Sequence, residues 1–312
     1  MDKVTLTDVT LREYGQNVPL SYLHIFTPGI RIEIARELLQ AGFCRMELLS
    51  CVHPRTAPAM NQEDIRKIAA GLGRAEDFEL VTLVPNKEGY RNFLRWSLGP
   101  DGYNHTVGVF ISAVEAHNRL NLGRSIQETM KEYEGIIGDA AARKAKVTGY
   151  VSAAFGYLDP ENRKLIRPSP ELLNSFIDFY FDLGVGVVIL SDLQGVADEV
   201  ETARLLETVL DKRKRSGPGT IGYHPHHVSG EKAVANSRAA YDVGIRHFDG
   251  SLGGTGGCVT GAPGNQPTEL LLRLFERLGV ESGVSIEKVS ALAEFVRSRL
   301  YSKISLPFLA TP

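Results

Sequence analysis

Residues 220–251 read TIGYHPHHVSGEKAVANSRAAYDVGIRHFDGS. Three elements are legible in that single stretch. Thr220–Tyr223 is a short strand, Glu231–Val243 an amphipathic helix, and His247–Ser251 a second strand. A strand, a crossover helix and another strand make a parallel pair, because antiparallel neighbours need only a tight turn. The same unit recurs outward in both directions. Towards the N-terminus lie Val187–Leu190 with Val200–Arg213, Val147–Ala153 with Pro170–Leu183, and Thr106–Ile111 with Ser125–Ala145. Further back come Glu79–Val84 with Lys87–Leu98, Arg45–Leu49 with Gln62–Leu72, and Val4–Thr10 with Thr27–Ala41. Towards the C-terminus, Thr268–Leu278 completes the eighth unit and Ile286–Tyr301 is an additional helix. Val187–Leu190 is continuously apolar, as expected of a strand covered on both faces. Ser125 with Glu128 has capping-box spacing.

Eight strand–helix units in order predict a TIM (β/α)8 barrel, an α/β fold, with an extra C-terminal helix. The barrel is expected over about residues 1–280 and the helical extension over about 281–312, in one domain. The competing architecture is an open doubly wound sheet. No Pro/Gly/Ser-rich linker divides the chain.

The chain has 312 residues and a formal net charge of -2, which leaves no electrostatic footprint for nucleic acid. No apolar run is long enough to cross a membrane. The opening MDKVTLTDVTLRE enters a strand pattern at once, so no targeting peptide is expected. The three cysteines, Cys44, Cys51 and Cys258, cannot form a disulfide framework, which points to a reducing cytoplasm.

Active sites of such barrels lie at the C-terminal ends of the strands. After strand seven stands His224-Pro225-His226-His227. On an extended segment residues i and i+2 share a face, so His224 and His226 can present two imidazoles to one cation. A surface histidine cluster is the plain alternative. Strand one ends in Asp8-Val9-Thr10-Leu11-Arg12-Glu13. Glu13 is a candidate carboxylate ligand completing a two-His, one-carboxylate site, and Arg12 a fixed cation for a carboxylate or developing oxyanion. A weak surface ion pair is the alternative there. Asp8, on the strand itself, is a candidate supporting or barrel-interior residue. The Gly-rich stretch 253–265 follows strand eight. Its Cys258 is a candidate acid/base or nucleophile brought in by loop closure, and Asn265 a candidate neutral oxygen ligand. Asp192, directly after strand six, is expected to orient substrate or to hydrogen-bond a His ligand. Gln16, Glu47, Thr82 and Arg55 complete the set as candidate substrate-binding residues.

Together these motifs resemble the DRE-TIM metallolyase superfamily, within it the 3-hydroxy-3-methylglutaryl-CoA lyase branch. The resemblance rests on Asp8-x-Thr10-Leu11-Arg12-Glu13, His224-x-His226, and Gly256-Gly257-Cys258 followed by Gly264-Asn265. Weaker similarity extends over Gly149–Ser152, Ser191–Gly195 and Asn265–Glu269, so it spans almost the whole chain. It implies a divalent metal, Mg²⁺ or Mn²⁺ first and Zn²⁺, Co²⁺ or Fe²⁺ otherwise, held by Glu13, His224, His226 and Asn265. It further implies retro-Claisen cleavage of a tertiary 3-hydroxyacyl-CoA to acetyl-CoA and a keto acid. Arg12 would stabilise the enolate, with Cys258, His224 and Asp192 as further catalytic residues, in a homodimer. The sequence departs from the branch in Arg12-Glu13-Tyr14, where Arg-Asp-Gly is usual, and in His227, where Asp commonly follows the second His. It also has Ser50-Cys51-Val52-His53-Pro54-Arg55 in place of Ser-Pro-Lys, and a shorter span from Cys258 to Asn265. A Claisen-type synthase or aldolase, and a non-catalytic ligand-binding barrel, are the alternatives. Cys258 favours the lyase.

Overall fold

The computed structural model describes residues 2–18, 20–72, 78–97, 105–213, 219–226, 229–257 and 264–301. Eight barrel strands follow in order: Thr5–Asp8, Arg45–Ser50, Glu79–Leu83, His105–Ser112, Val147–Ser152, Val187–Asp192, Thr220–Pro225 and His247–Gly250. They are called strands one to eight below. All neighbours pair in parallel, and strand one pairs with both strand eight and strand two, which closes the sheet. The expected TIM barrel is therefore the fold, and the open sheet is excluded.

Strand six shows how the apolar runs are used. Val188 and Leu190 join the main core beneath the helices, while Ile189 turns into the barrel lumen beside Leu83, Phe110 and Tyr150. That alternation, imposed by the two-residue period of a strand, decides which side chains can reach a site inside the barrel. The helix starts are fixed locally. Thr27, Ser125, Ser169, Ser229 and Ser285 each accept a hydrogen bond from a first-turn N–H. Ser125 and Glu128 form the full capping box, a contact worth about 1 kcal/mol.

Three features depart from the sequence expectation. Strand one stops at Asp8 rather than Thr10, and a helix runs over Thr10–Asn17. The cause is Asp8: its carboxylate accepts both the Thr10 N–H and the Thr10 hydroxyl at 3.0 Å, turning the chain out of the sheet. A further helix, Glu115–Leu122, precedes the capped helix Ile126–Ala142. A small antiparallel hairpin of Tyr157–Leu158 and Leu165–Ile166 follows strand five. Gln194 clamps this hairpin by bonding both the N–H and the C=O of Leu158. At the C-terminal end, helix Ile286–Val296 continues into a π-turn over Arg297–Tyr301. It is tied back to the barrel by Ser285 N–H to Ala41 C=O at 2.7 Å and by Tyr14 Oη to Leu300 C=O at 3.0 Å. No helix among the described residues is long and apolar enough to cross a membrane.

Candidate active site

The short helix after strand one carries the first half of the site. Its first turn places Arg12 and Glu13 in the barrel mouth, both buried. Arg12 bonds Glu13 with Nη1 and Glu47 with Nε, the latter at 2.5 Å. Gln16, one turn on, accepts from Arg12 Nη1 at 3.2 Å and donates to Ser50 Oγ at 3.2 Å. The surface ion pair is thus excluded: this is a buried guanidinium held between two carboxylates. Removing Arg12 would leave two buried carboxylates uncompensated, at a cost of about 3–5 kcal/mol.

Strand seven supplies the second half. Its inward alternation brings His224 into the lumen, and His226 follows just beyond the strand end, bridged to Asn265. The two Nε2 atoms lie 2.9 Å apart, and His224 Nε2 lies 4.0 Å from Glu13 Oε1. One ligand atom from each of Glu13, His224 and His226 falls within 4.8 Å of the others, and all three residues are buried. Burial alone would push the Glu13 carboxyl up. The charges of Arg12, His226 and His224, with the Gly257 N–H at 3.2 Å, outweigh it and hold the group below its ordinary value. Burial pushes the His224 ring down, but the Asp249 hydrogen bond and the charges of Asp249 and Glu13 raise it overall.

After strand eight, Gly256, Gly257 and Asn265 pack against this cluster. Gly256 has φ +96°, and a Cβ there would lie 2.5 Å from Glu13 Cβ and 3.0 Å from Asn265 Nδ2. Only glycine lets the backbone pass so close. Asn265 Nδ2 donates to Thr255 C=O at 3.0 Å, and the buried Oδ1 has no hydrogen-bond partner among the described residues. An orphaned buried acceptor beside two imidazoles and a carboxylate fits a divalent cation, for which these are suitable donors. Cys258 and His227 lie outside the described residues.

Arg12, Glu13, Gln16, His224, His226 and Gly257 line a cavity of about 250 Å³ together with Leu83, Phe110, Leu122, Tyr150 and Leu193. The structure brings Arg12, Glu13, Gln16, His224 and His226 together on that cavity, with Glu47 and Asn265 directly behind them. It does not bring Thr82, Asp192 or Arg55 there. Thr82 stands between Val81 and Leu83, which point inward against Gly108, so the strand period turns it outward. The Asp192 carboxylate accepts the N–H groups of Val196 and Ala197 at 3.0 and 2.9 Å. It holds the loop after strand six and touches no ligand imidazole; only its backbone C=O meets the His226 N–H, at 3.0 Å. Burial pushes its carboxyl up to about 6. Arg55 is exposed and bonds His53, whose own side chain lines the cavity mouth. The His partner expected of Asp192 is instead Asp249 on strand eight, Oδ2 3.0 Å from His224 Nδ1. Its signal in the sequence was a single acid inside the strand pattern His247-Phe248-Asp249-Gly250.

The HMGL-like family profile matches residues 3–296. The chain belongs to the HMGL-like family. Among its relatives, hydroxymethylglutaryl-CoA lyase YngG of Bacillus subtilis is 31% identical over 303 residues, covering 96% of this chain and 93% of that protein. The (R)-citramalyl-CoA lyase of Chloroflexus aurantiacus is 32% identical over 310 residues, covering 96% and 92%. The crystal structure of the Bacillus subtilis HMG-CoA lyase superimposes with a TM-score of 0.82 at 30% identity, covering 96% of this chain and 94% of that one. An Acinetobacter baumannii HMG-CoA lyase, solved with coenzyme A and 3-methylmalate, gives 0.79 at 25% identity, covering 100% and 98%. This HMGL-like chain is accordingly a carbon–carbon lyase, and the cluster of Glu13, His224 and His226 is its candidate metal site.

Proposed function

We propose that the protein cleaves a 3-hydroxyacyl-CoA to acetyl-CoA and an oxo acid with a divalent cation, Mg²⁺ or Mn²⁺, held by Glu13, His224, His226 and Asn265. The observation that carries this reading is the convergence of the ligand atoms of buried Glu13, His224 and His226 within 4.8 Å of one another beside Arg12, with Asn265 bridged to His226. The likeness to hydroxymethylglutaryl-CoA and citramalyl-CoA lyases supports the substrate class.

When bound, the cation supplies a Lewis acid that lowers the pKa of the substrate hydroxyl and polarises the carbonyl it becomes. Glu13, His224, His226 and Asn265 hold it and orient the substrate's hydroxyl and carboxylate. A base takes the hydroxyl proton, the C–O electrons form the new C=O, and the C2–C3 pair passes into the thioester enolate. Arg12, preset between Glu13 and Glu47, meets the negative charge on the thioester oxygen without reorganising. A proton delivered to C2 then gives acetyl-CoA, and Cys258 is the proposed group for that transfer. Gln16 holds Arg12 from the helix side. The apolar wall of Leu83, Phe110, Leu122 and Leu193 excludes water from the enolate.

Purified protein with Mn²⁺ is expected to release acetyl-CoA from 3-hydroxy-3-methylglutaryl-CoA or citramalyl-CoA. Condensation of acetyl-CoA with an oxo acid, without cleavage of either thioester, would show a synthase instead. The same reading places the protein in a reducing cytoplasm as a two-fold dimer, the commonest symmetric assembly; light scattering of the purified protein checks the dimer.

A further inference from the structure

His224 has two ring nitrogens with different neighbours. Nε2 faces His226 Nε2 at 2.9 Å and Glu13 Oε1 at 4.0 Å, while Nδ1 faces Asp249 Oδ2 at 3.0 Å. We propose that Asp249 is a positioning residue that fixes the His224 ring as its Nδ1–H tautomer, leaving the Nε2 lone pair for the cation. This inference rests on the metal-dependent reading of the site, but it concerns the protein's own side chains and can be tested without substrate.

The architecture makes the pairing rigid. Strands seven and eight are parallel neighbours, with Phe248 registered on Tyr223, so Asp249 and His224, one residue further along each strand, stand directly opposite each other on the inward face. Both residues are buried, Asp249 to 2% exposure. A neutral imidazole can satisfy a carboxylate only by donating. His247, two residues back on the same inward row, stands 3.8 Å from Asp249 Oδ1, with its Nε2 2.8 Å from Thr7 Oγ1. Burial and the charge of Arg45 push that ring down to about 4, against the pull of Asp249, so His247 stays neutral and supplies no rival cation. Asp249 Oδ1 has no hydrogen-bond partner among the described residues, so Oδ2 on His224 is the carboxylate's one directed contact. Carboxylate partners of this kind set the tautomer and orientation of ligand histidines, and their loss typically lowers metal affinity about 10–100-fold.

An amide in place of the carboxylate can donate its own N–H to Nδ1, moving the ring proton to Nε2, the face that must stay open. The test has two arms. In metal-free wild-type protein, ¹⁵N NMR of the His224 ring, assigned by its loss in His224→Gln, is read at a pH where the ring is neutral. The inference expects a protonated Nδ1 and a bare Nε2; a protonated Nε2 overturns it. In the second arm, calorimetric titration of Asp249→Asn with Mn²⁺ is expected to show affinity about 10–100-fold below wild type. A folded variant binding Mn²⁺ within twofold of wild type overturns the proposal, and if the variant does not fold, the wild-type tautomer still decides. A wild-type enzyme that releases acetyl-CoA yet carries the Nε2–H tautomer would overturn this inference alone. A protein with the Nδ1–H tautomer that cleaves no thioester would uphold it while sinking the functional reading.

Discussion

Arg12 is wedged between Glu13 and Glu47, and this arrangement makes the two acids unequal. Glu13 also faces the histidines, whereas Glu47 serves the guanidinium from behind. Glu47→Ala should therefore destabilise the fold by about 1.5–3 kcal/mol, because it removes one of the two charge-assisted contacts of a buried cation that keeps Glu13. Denaturant unfolding measures this, and a loss below 1 kcal/mol would show that Glu13 alone suffices. His224→Ala should abolish Mn²⁺ binding with the circular dichroism spectrum intact; normal metal occupancy would mean the ligands lie elsewhere. At this scale the sequence was most legible where motifs are short and local: Arg12, Glu13, His224, His226 and Asn265 all reach the site. It was least legible where the answer depends on strand phase or on a distant partner. Thr82 was expected in the pocket but falls on the outward face. Asp192 spends its carboxylate on the backbone of its own loop, and Asp249, unremarkable in the sequence, bonds His224.

The loop after strand eight and the helix after strand one are built against each other. Gly256 has to be glycine because Glu13 occupies the space a side chain would need. Gly256→Ala should displace the loop from Glu13 and weaken Mn²⁺ binding at least tenfold, with a modest fall in melting temperature. Unchanged affinity would show that the loop does not frame the ligands. Cys258→Ala should sharply lower turnover with little change in metal affinity; wild-type turnover would remove the thiol from the mechanism. The strand–helix alternation exposed the eight units because each strand is a compact β-branched or apolar run. The helix Thr10–Asn17 escaped because its start is dictated by an Asp8 side-chain turn, not by periodicity. Glu115–Leu122 escaped because it is short and runs almost directly into the next helix.

Across the whole molecule, a buried histidine makes stability depend on pH. His117 bonds Ser112 through Nδ1, packs on Tyr157 and has no partner for Nε2 among the described residues; burial lowers its pKa to about 4. Between that value and the ordinary 6.5, the unfolded chain binds a proton that the folded chain refuses. Its contribution is therefore complete above pH 6.5 and is lost as pH falls towards 4, by about 3 kcal/mol in all. His117→Phe should reduce the slope of unfolding free energy against pH in this window by about one proton; an unchanged slope would show that His117 does not titrate on unfolding. The closed barrel has a second consequence. With the strands sealed edge to edge, the candidate metal cluster and the cavity lie together at one end of the lumen. The most direct measurement of the central claim is acetyl-CoA release from 3-hydroxy-3-methylglutaryl-CoA and citramalyl-CoA by the purified protein, with Mn²⁺ and after chelation. The account predicts release from at least one thioester with Mn²⁺, lost on chelation and restored by the metal. Release indifferent to chelation, or none from either thioester, would contradict it.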